Sequence, residues 1–285
     1  MIYTLGVTKL QLMKNSFCLL IVLFLLCGVV PVCYSQADLE VYAFGDGELL
    51  EFTVSYNWGW LWIDAGSVDF RASKLPDNEV ASWHFLSTGR SFRKFDWFFK
   101  VRDTFEVTTT ANLRPIQFRR HCFEGSHITF NDYHFHPHKS EVRMFTTDTE
   151  KDAFYGIVPL PPETTDVLTA TYLTRSLNFE HLTIGDTLYI STIMDDAAFR
   201  LPIVFHGREV VETRAKKKFK AIKFSAELEK GSLFKEGEKI YVWITDDANR
   251  LPLMIEARII VGSIKVHLTG FEYPAHPVNS LISVQ

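Results

Sequence analysis

The sequence predicts an all-β protein, a curved or partly open antiparallel barrel or sandwich carrying one short helix. Three observations predict it. Apolar side chains recur with a period of two, turn-forming residues interrupt them at short intervals, and a single segment switches to helical spacing.

The first segment stands outside that fold. Lys9 and Lys14 precede the apolar run FCLLIVLFLLCGVVPVCY, which breaks at Pro31 and gives way to the small residues of YSQA. This is the layout of a secretory signal peptide, with Met13 as an alternative start and cleavage after Ala37. A retained membrane anchor competes, because the run approaches the length of a spanning helix. A lipid anchor is disfavoured: Cys27 follows Leu-Leu and Cys33 follows Pro-Val, where lipid attachment needs a small residue. Removal of residues 1–37 leaves one domain, 38–285, in which Cys122 is the only cysteine, so no internal disulfide is expected. The core must then hold the chain together, and its length suffices for that. The leader contains two Lys and no acid, which leaves 28 basic against 34 acidic side chains. That mild acidity argues against nucleic-acid binding and leaves membrane, protein or small-molecule partners open.

After the leader, LLEFTVSY places Leu50, Phe52, Val54 and Tyr56 on one face and Glu51, Thr53 and Ser55 on the other, as a half-buried strand requires. The alternation returns in KFKAIKFSAEL, KIYVWIT and ARIIVGSIKVHL. Between such runs lie the turn signals Asp46-Gly47, Pro76-Asp77-Asn78, Gly125-Ser126, Gly207, Gly231-Ser232 and Asp246-Asp247. The exception is PPETTDVLTATYLTRSLNFEHLTIGD. There Asp166 is a candidate N-cap for a helix whose apolar residues Val167, Ala170, Leu173 and Leu177 share one face.

A repeat runs through the second half: DDAAFRLPIVF from Asp195 and DDANRLPLMIEA from Asp246, with a looser copy, TTANLRPIQF, from Thr109. Each is a polar turn, a Leu-Pro or Arg-Pro step and an apolar strand. Asp accepts backbone hydrogen bonds in turns, and Pro suits the start or edge of a strand. Adjacent carboxylates on a strand-turn point apart, whereas a glycosidase pair must face across a cleft. The repeat reads as a corner.

These corners carry a resemblance. GELLEFTVSYNWGWLWIDAG, FKVRDTFEVTTTANLRPIQF, TTDVLTATYLTR and YVWITDDANRLPLMIEARIIVGSIKVHL together resemble the exported bacterial family called domain of unknown function 3108, over roughly residues 42 to 272. The matching positions are Gly47, Glu48, Gly66, Asp103, Pro115, Asp166, Arg175, Gly185, Asp247, Pro252 and Gly262, while the basic run ETRAKKKFK replaces a usual Gly. The resemblance implies fold and export and assigns no activity. A weaker likeness, an aromatic strand followed by a turn and a Leu-Pro strand, is to periplasmic lipoprotein carriers. Those are incomplete barrels that hold acyl chains on a concave face under a helical lid; such analogy fixes no site.

Several residue groups are candidates for a site. Trp58, Trp60 and Trp62 would share one face of a strand, and Trp97 and Phe99 follow in an aromatic run; they read either as the wall of an apolar pocket or as core. Asp132, His134 and His136 would project together as a metal set, against the reading of a solvated hairpin face. Lys216, Lys217 and Lys218 read as an anionic-membrane contact or as the charge of an exposed edge strand. Asp103 and Arg175 read as a buried ion pair fixing the helix, or as partners of a ligand head group. No serine elbow, HExxH, phosphate loop or CxxC is present, and no cofactor is expected. The leading reading is a non-enzymatic envelope or periplasmic carrier of a lipid or acyl chain. A glycan-acting enzyme using an Asp/Glu pair and an assembly protein without a small ligand are the alternatives. A filled interior with an apolar patch elsewhere would favour the last.

Overall fold

The computed structural model describes residues 42–58, 61–76, 82–150, 152–194, 197–227, 239–258 and 262–282. The predicted leader therefore lies outside the described residues, as do Asp195 and Asp196 of the repeat.

The alternation read from the sequence becomes a single sheet built from two meanders. The first comprises β1 (Leu49–Trp58), β2 (Leu61–Lys74), β3 (Trp83–Ser91), β4 (Val101–Thr109), β5 (Pro115–Glu124), β6 (His127–His136), β7 (Glu141–Asp148) and β8 (Phe154–Pro159). After β9 (Thr165–Asp166) and helix α1 (Val167–Arg175) come β10 (Thr187–Met194), β11 (Ala197–Glu212), β12 (Lys218–Glu227), β13 (Lys239–Thr245), β14 (Pro252–Arg258), β15 (Ser263–Glu272) and β16 (Leu281–Ile282). The strands follow the order β8 to β1, then β15 to β9, and β16 adds to the start of β12. The β1–β15 ladder joins the meanders, so the beginning and end of the domain meet in mid-sheet. Neighbours are antiparallel except β9 and β10, and the sheet remains open between the β8 and β9 edges. This is the curved, partly open all-β architecture with one helix that the sequence predicts.

Burial follows the two-residue period. Along β4, Val101, Asp103, Phe105, Val107 and Thr109 point inward, and along β2 Val68, Phe70 and Ala72 do. Their apolar members join those of the second meander in one core cluster. The Leu-Pro corners obey the strand rule for proline. Pro115 and Pro252 open β5 and β14, and Pro202 lies just before the β11–β12 ladder, which starts at Ile203.

The chain leaves the sheet at β8 and re-enters at β9 and β10 through α1. A helix of nine residues is too short to be stable alone, so its packing must hold it. All nine residues are buried, against β10 on one side and β3 and β4 on the other. Tyr172 stacks on Phe85 with ring centres 3.9 Å apart. Asp166 caps the helix as predicted, accepting from the backbone N–H groups of Leu168 (2.8 Å) and Thr169 (3.0 Å). Burial on every side departs from the one-sided stripe read in the sequence. The polar residues are accommodated because Thr171 and Thr174 donate to the carbonyls of Val167 and Ala170, four positions back.

One ion pair ties the ends together. Arg175 donates to Glu48 at 2.6 and 2.9 Å, to the Ala43 carbonyl at 2.7 Å and to the Asn249 carbonyl at 2.9 Å. The two side chains are 3 % and 1 % exposed. Arg175 thus anchors the helix as foreseen, but its partner is Glu48 and not Asp103. The corner reading of the repeat holds at Asp247, which accepts from Thr245 Oγ1, Asn249 N, and both N and Oγ of Ser280.

Cys122 is buried and disulfide-bonded, against the expectation of no disulfide, and its partner lies outside the described residues. The other cysteines, Cys18, Cys27 and Cys33, all precede residue 38.

Removing one member of a buried pair leaves a charge stranded. Arg175→Met is expected to lower stability by about 3–5 kcal/mol, and Arg175→Met with Glu48→Leu by clearly less, as read from denaturant midpoints.

Candidate functional site

The sequence candidates do not converge. β1 ends at Trp58 and β2 begins at Leu61, with Trp58 opposite Leu61 and Asn57 opposite Trp62. The Trp58, Trp60, Trp62 series therefore straddles a hairpin and does not line one strand. The side chains of Trp58 and Trp60 lie outside the described residues. Trp62 is on the outer surface with the Lys265 ammonium 5.0 Å from its ring centre. Trp97 is 84 % exposed on the β3–β4 connection, its indole N–H donating to the Lys94 carbonyl at 2.9 Å. Phe99 packs at the margin of the core.

Asp132 and His134 do lie together on the outer face of β6, 3.4 Å apart. The Asp132 carboxylate is already engaged by Gln117 at 2.8 Å and approached by Arg119 at 3.8 Å. Among the described residues no group of three His, Cys, Asp or Glu is placed to hold a metal ion, and His136 joins no such group. Lys216, Lys217 and Lys218 occur at the β11–β12 hairpin. Lys216 sits in the turn with φ of 62° and pairs with Glu212 at 3.0 Å. Lys218 opens β12, which is flanked by β11 and β16 at that point. The basic run is thus a hairpin tip and not an edge strand.

Asp103 lies on the inner face, 2 % exposed, and Glu124, 3 % exposed, occupies the adjoining rung of β5. Asp103 Oδ1 accepts from Phe123 N at 3.2 Å, while Oδ2 has no hydrogen-bond partner. Burial, reinforced by the Glu124 charge and offset in part by the Phe123 N–H and Arg120, pushes the carboxyl up to about 8. A buried acid protonated near neutrality, side by side with another buried acid, is not a pair facing across an open aromatic groove. That arrangement counts against Asp103 and Glu124 as a glycosidase acid and base.

An open cavity is present elsewhere, at the rim where β5 starts, β6 ends and β8 runs into β9. It measures about 280 Å³. Its walls are Pro115, Phe135, Pro137, Leu160, Pro161 and Pro162, with Ser140 and Thr164 beside them and Arg114 and Glu163 supplying opposite charges. The connections that build it are held by short local bonds: Ser140 N to the Pro137 carbonyl, Leu160 N to Ser140, and Thr164 Oγ1 to Pro161 at 2.7 Å. Left-handed backbone at non-glycine residues clusters here: Ser140 at 50°, Glu163 at 60°, and Leu113, next to Arg114, at 53°. Such conformations cost free energy and concentrate at ligand clamps. This cavity leaves little trace in the sequence because its walls come from three separate connections. Its one sequence signal is the Pro161-Pro162-Glu163 step.

The comparisons with known proteins follow from this architecture. Residues 51–269 match the family model DUF3108, protein of unknown function. The chain belongs to that family. It is similar to a crystal structure of a β-barrel-like DUF1849 protein from Brucella abortus, at TM-score 0.51 and 8 % identity, covering 80 % of this chain and 97 % of that one. It is also similar to a protein with a YmcC-like fold from Bacteroides fragilis, at TM-score 0.30 and 10 % identity, covering 82 % and 99 %. The first likeness supports the barrel-like fold alone, and the second carries no argument. No curated protein matches.

Asp103 yields a pH test. Its folded carboxyl is at about 8, above the ordinary 3.8, so the folded state binds this proton more tightly than the unfolded chain. The stability it contributes is complete below about pH 4, is lost as pH rises towards about 8, and changes no further above that. Asp103→Asn is expected to flatten the stability profile across that interval and to raise stability at its upper end by a few kcal/mol. Denaturant midpoints of both proteins at the two ends of the interval check this.

Proposed function

We propose that this DUF3108 member is an exported, non-enzymatic binding protein that takes the apolar end of a small amphiphile, such as an acyl chain, at the rim cavity. One observation carries the reading: a cavity lined in equal measure by apolar and polar surface, with opposite charges and clustered left-handed backbone around it. The concave face first expected to hold the ligand is occupied by α1 and the aromatic core. Near 280 Å³, the cavity is just below the size of ligand sites, which run from about 300 Å³. It suits a short chain or the terminus of a longer one. Arg114 would meet a carboxylate or phosphate head, and exposed Lys216 and Lys217 on the hairpin tip would meet an anionic surface.

Native mass spectrometry of the protein isolated gently from its own envelope is expected to reveal a bound amphiphile. Titration with a fluorescent short-chain fatty acid is expected to show saturable binding, weakened about tenfold by Arg114→Glu. No binding, or binding only of highly polar ligands, would remove this reading. The assembly reading has its own support, since the interior is packed and apolar side chains remain open on the outside of β8.

A further inference from the structure

We infer that β8 is a pairing edge for a second copy of this chain, the two sheets joining antiparallel about a two-fold axis at Gly156. This goes beyond the proposed ligand site and does not depend on it. β8 runs antiparallel to β7, with Glu141 opposite Pro159 and Thr146 opposite Phe154, and Leu160 N donates to the Ser140 carbonyl at 2.8 Å. In an antiparallel strand both backbone groups of alternate residues point to the same side. The even-numbered residues therefore bond to β7, and Tyr155, Ile157 and Pro159 turn theirs to the open edge. Proline has no N–H to offer there, so it bounds the usable edge. Among the described residues, the backbone donor and acceptor of Tyr155 and Ile157 have no partner on that side.

Pairing two such edges about Gly156 sets Tyr155 opposite Ile157 of the second copy, and Ile157 opposite Tyr155. Each pair exchanges two backbone hydrogen bonds and makes an aromatic against β-branched contact, a favourable cross-strand combination. Gly156 faces its own copy at the position where chains approach most closely. A β-carbon at Gly156 would collide with the Phe154 ring, which lies over it.

The surface is built for such a neighbour. Tyr155 is 76 % and Ile157 57 % exposed, and the six residues of β8 carry no charge, where solitary edges are usually guarded by Lys or a similar device. Phe145, opposite Tyr155 on the outer face, extends the apolar strip inward from the edge. Charge agrees with the symmetry. Asp148, Glu150 and Asp152 lie near the Phe154 end, and Lys139 and Arg143, the latter 3.7 Å from Glu141, near the Pro159 end. Antiparallel pairing brings the acidic end of one copy to the basic end of the other, whereas parallel pairing would oppose like charges.

Sedimentation of the full exported chain over a range of concentrations is expected to show a monomer–dimer equilibrium. Ile157→Lys alters an exposed side chain, so the circular dichroism spectrum and melting temperature should be retained while the dissociation constant rises about tenfold or more. Chains carrying Tyr155→Cys mixed with chains carrying Ile157→Cys should be joined by a short bismaleimide linker, and either chain alone far less. A monomer at every concentration would overturn the proposal. So would a dimer indifferent to Ile157→Lys, or single-variant chains that cross-link as well as the mixture.

Discussion

The buried Arg175–Glu48 pair is the contact on which the arrangement of the molecule depends. A guanidinium with 3 % exposure cannot be left without its carboxylate, and the same group also binds the Ala43 and Asn249 carbonyls. Burial pulls the Arg175 pKa down, but the Glu48 carboxylate outweighs that and the net direction is up. The cation is therefore fixed, and with it the distance between helix, N-terminal loop and the β13–β14 corner. From that corner the network continues: Asn249 donates to the carbonyls of His276 and Pro277 and accepts from His276 N, and Asp247 holds Ser280. Both ends of the described domain and helix α1 converge there, next to the ladder that joins the two meanders.

Three of the eleven positions that carry the family resemblance, Glu48, Arg175 and Asp247, fall on this network, and others lie on the elements it joins. Glu48 and Arg175 form the pair, Asp166 caps the helix, Asp247 closes the corner, and Pro252 opens the strand beyond it. Gly47, Gly185 and Gly262 adopt φ of 80°, 98° and 96°, values that favour glycine. These residues have a structural reason to be what they are. Asp103 differs, because half of its carboxylate is buried without a partner and its protonation tracks pH near neutrality.

A sheet that coils without closing separates two tasks. The inner face is given to the core and to α1, while the open side and the rim keep backbone groups, apolar side chains and a small cavity available. Binding at the periphery then needs no opening of the packed interior. That is why both the ligand reading and the edge-pairing reading are located at the end of the first meander, around β8 and the connection that follows it.

Local patterns determined the strands, the corners and the helix cap, because each depends on residues close in the chain: alternation sets a strand face, an Asp before a helical stripe caps it, and Leu-Pro starts a strand. The three-Trp face was not legible as one strand because Trp58 ends β1 and Trp62 lies on β2, opposite Asn57. The partner of Arg175 was beyond sequence reasoning, because Glu48 is 127 positions away and only the fold brings it near. The burial that raises the Asp103 pKa, the rim cavity and the open β8 edge likewise exist only once distant segments are assembled. Short-range stereochemistry wrote the elements into the sequence, and the tertiary structure alone decided which polar groups lost their water and which backbone groups kept it.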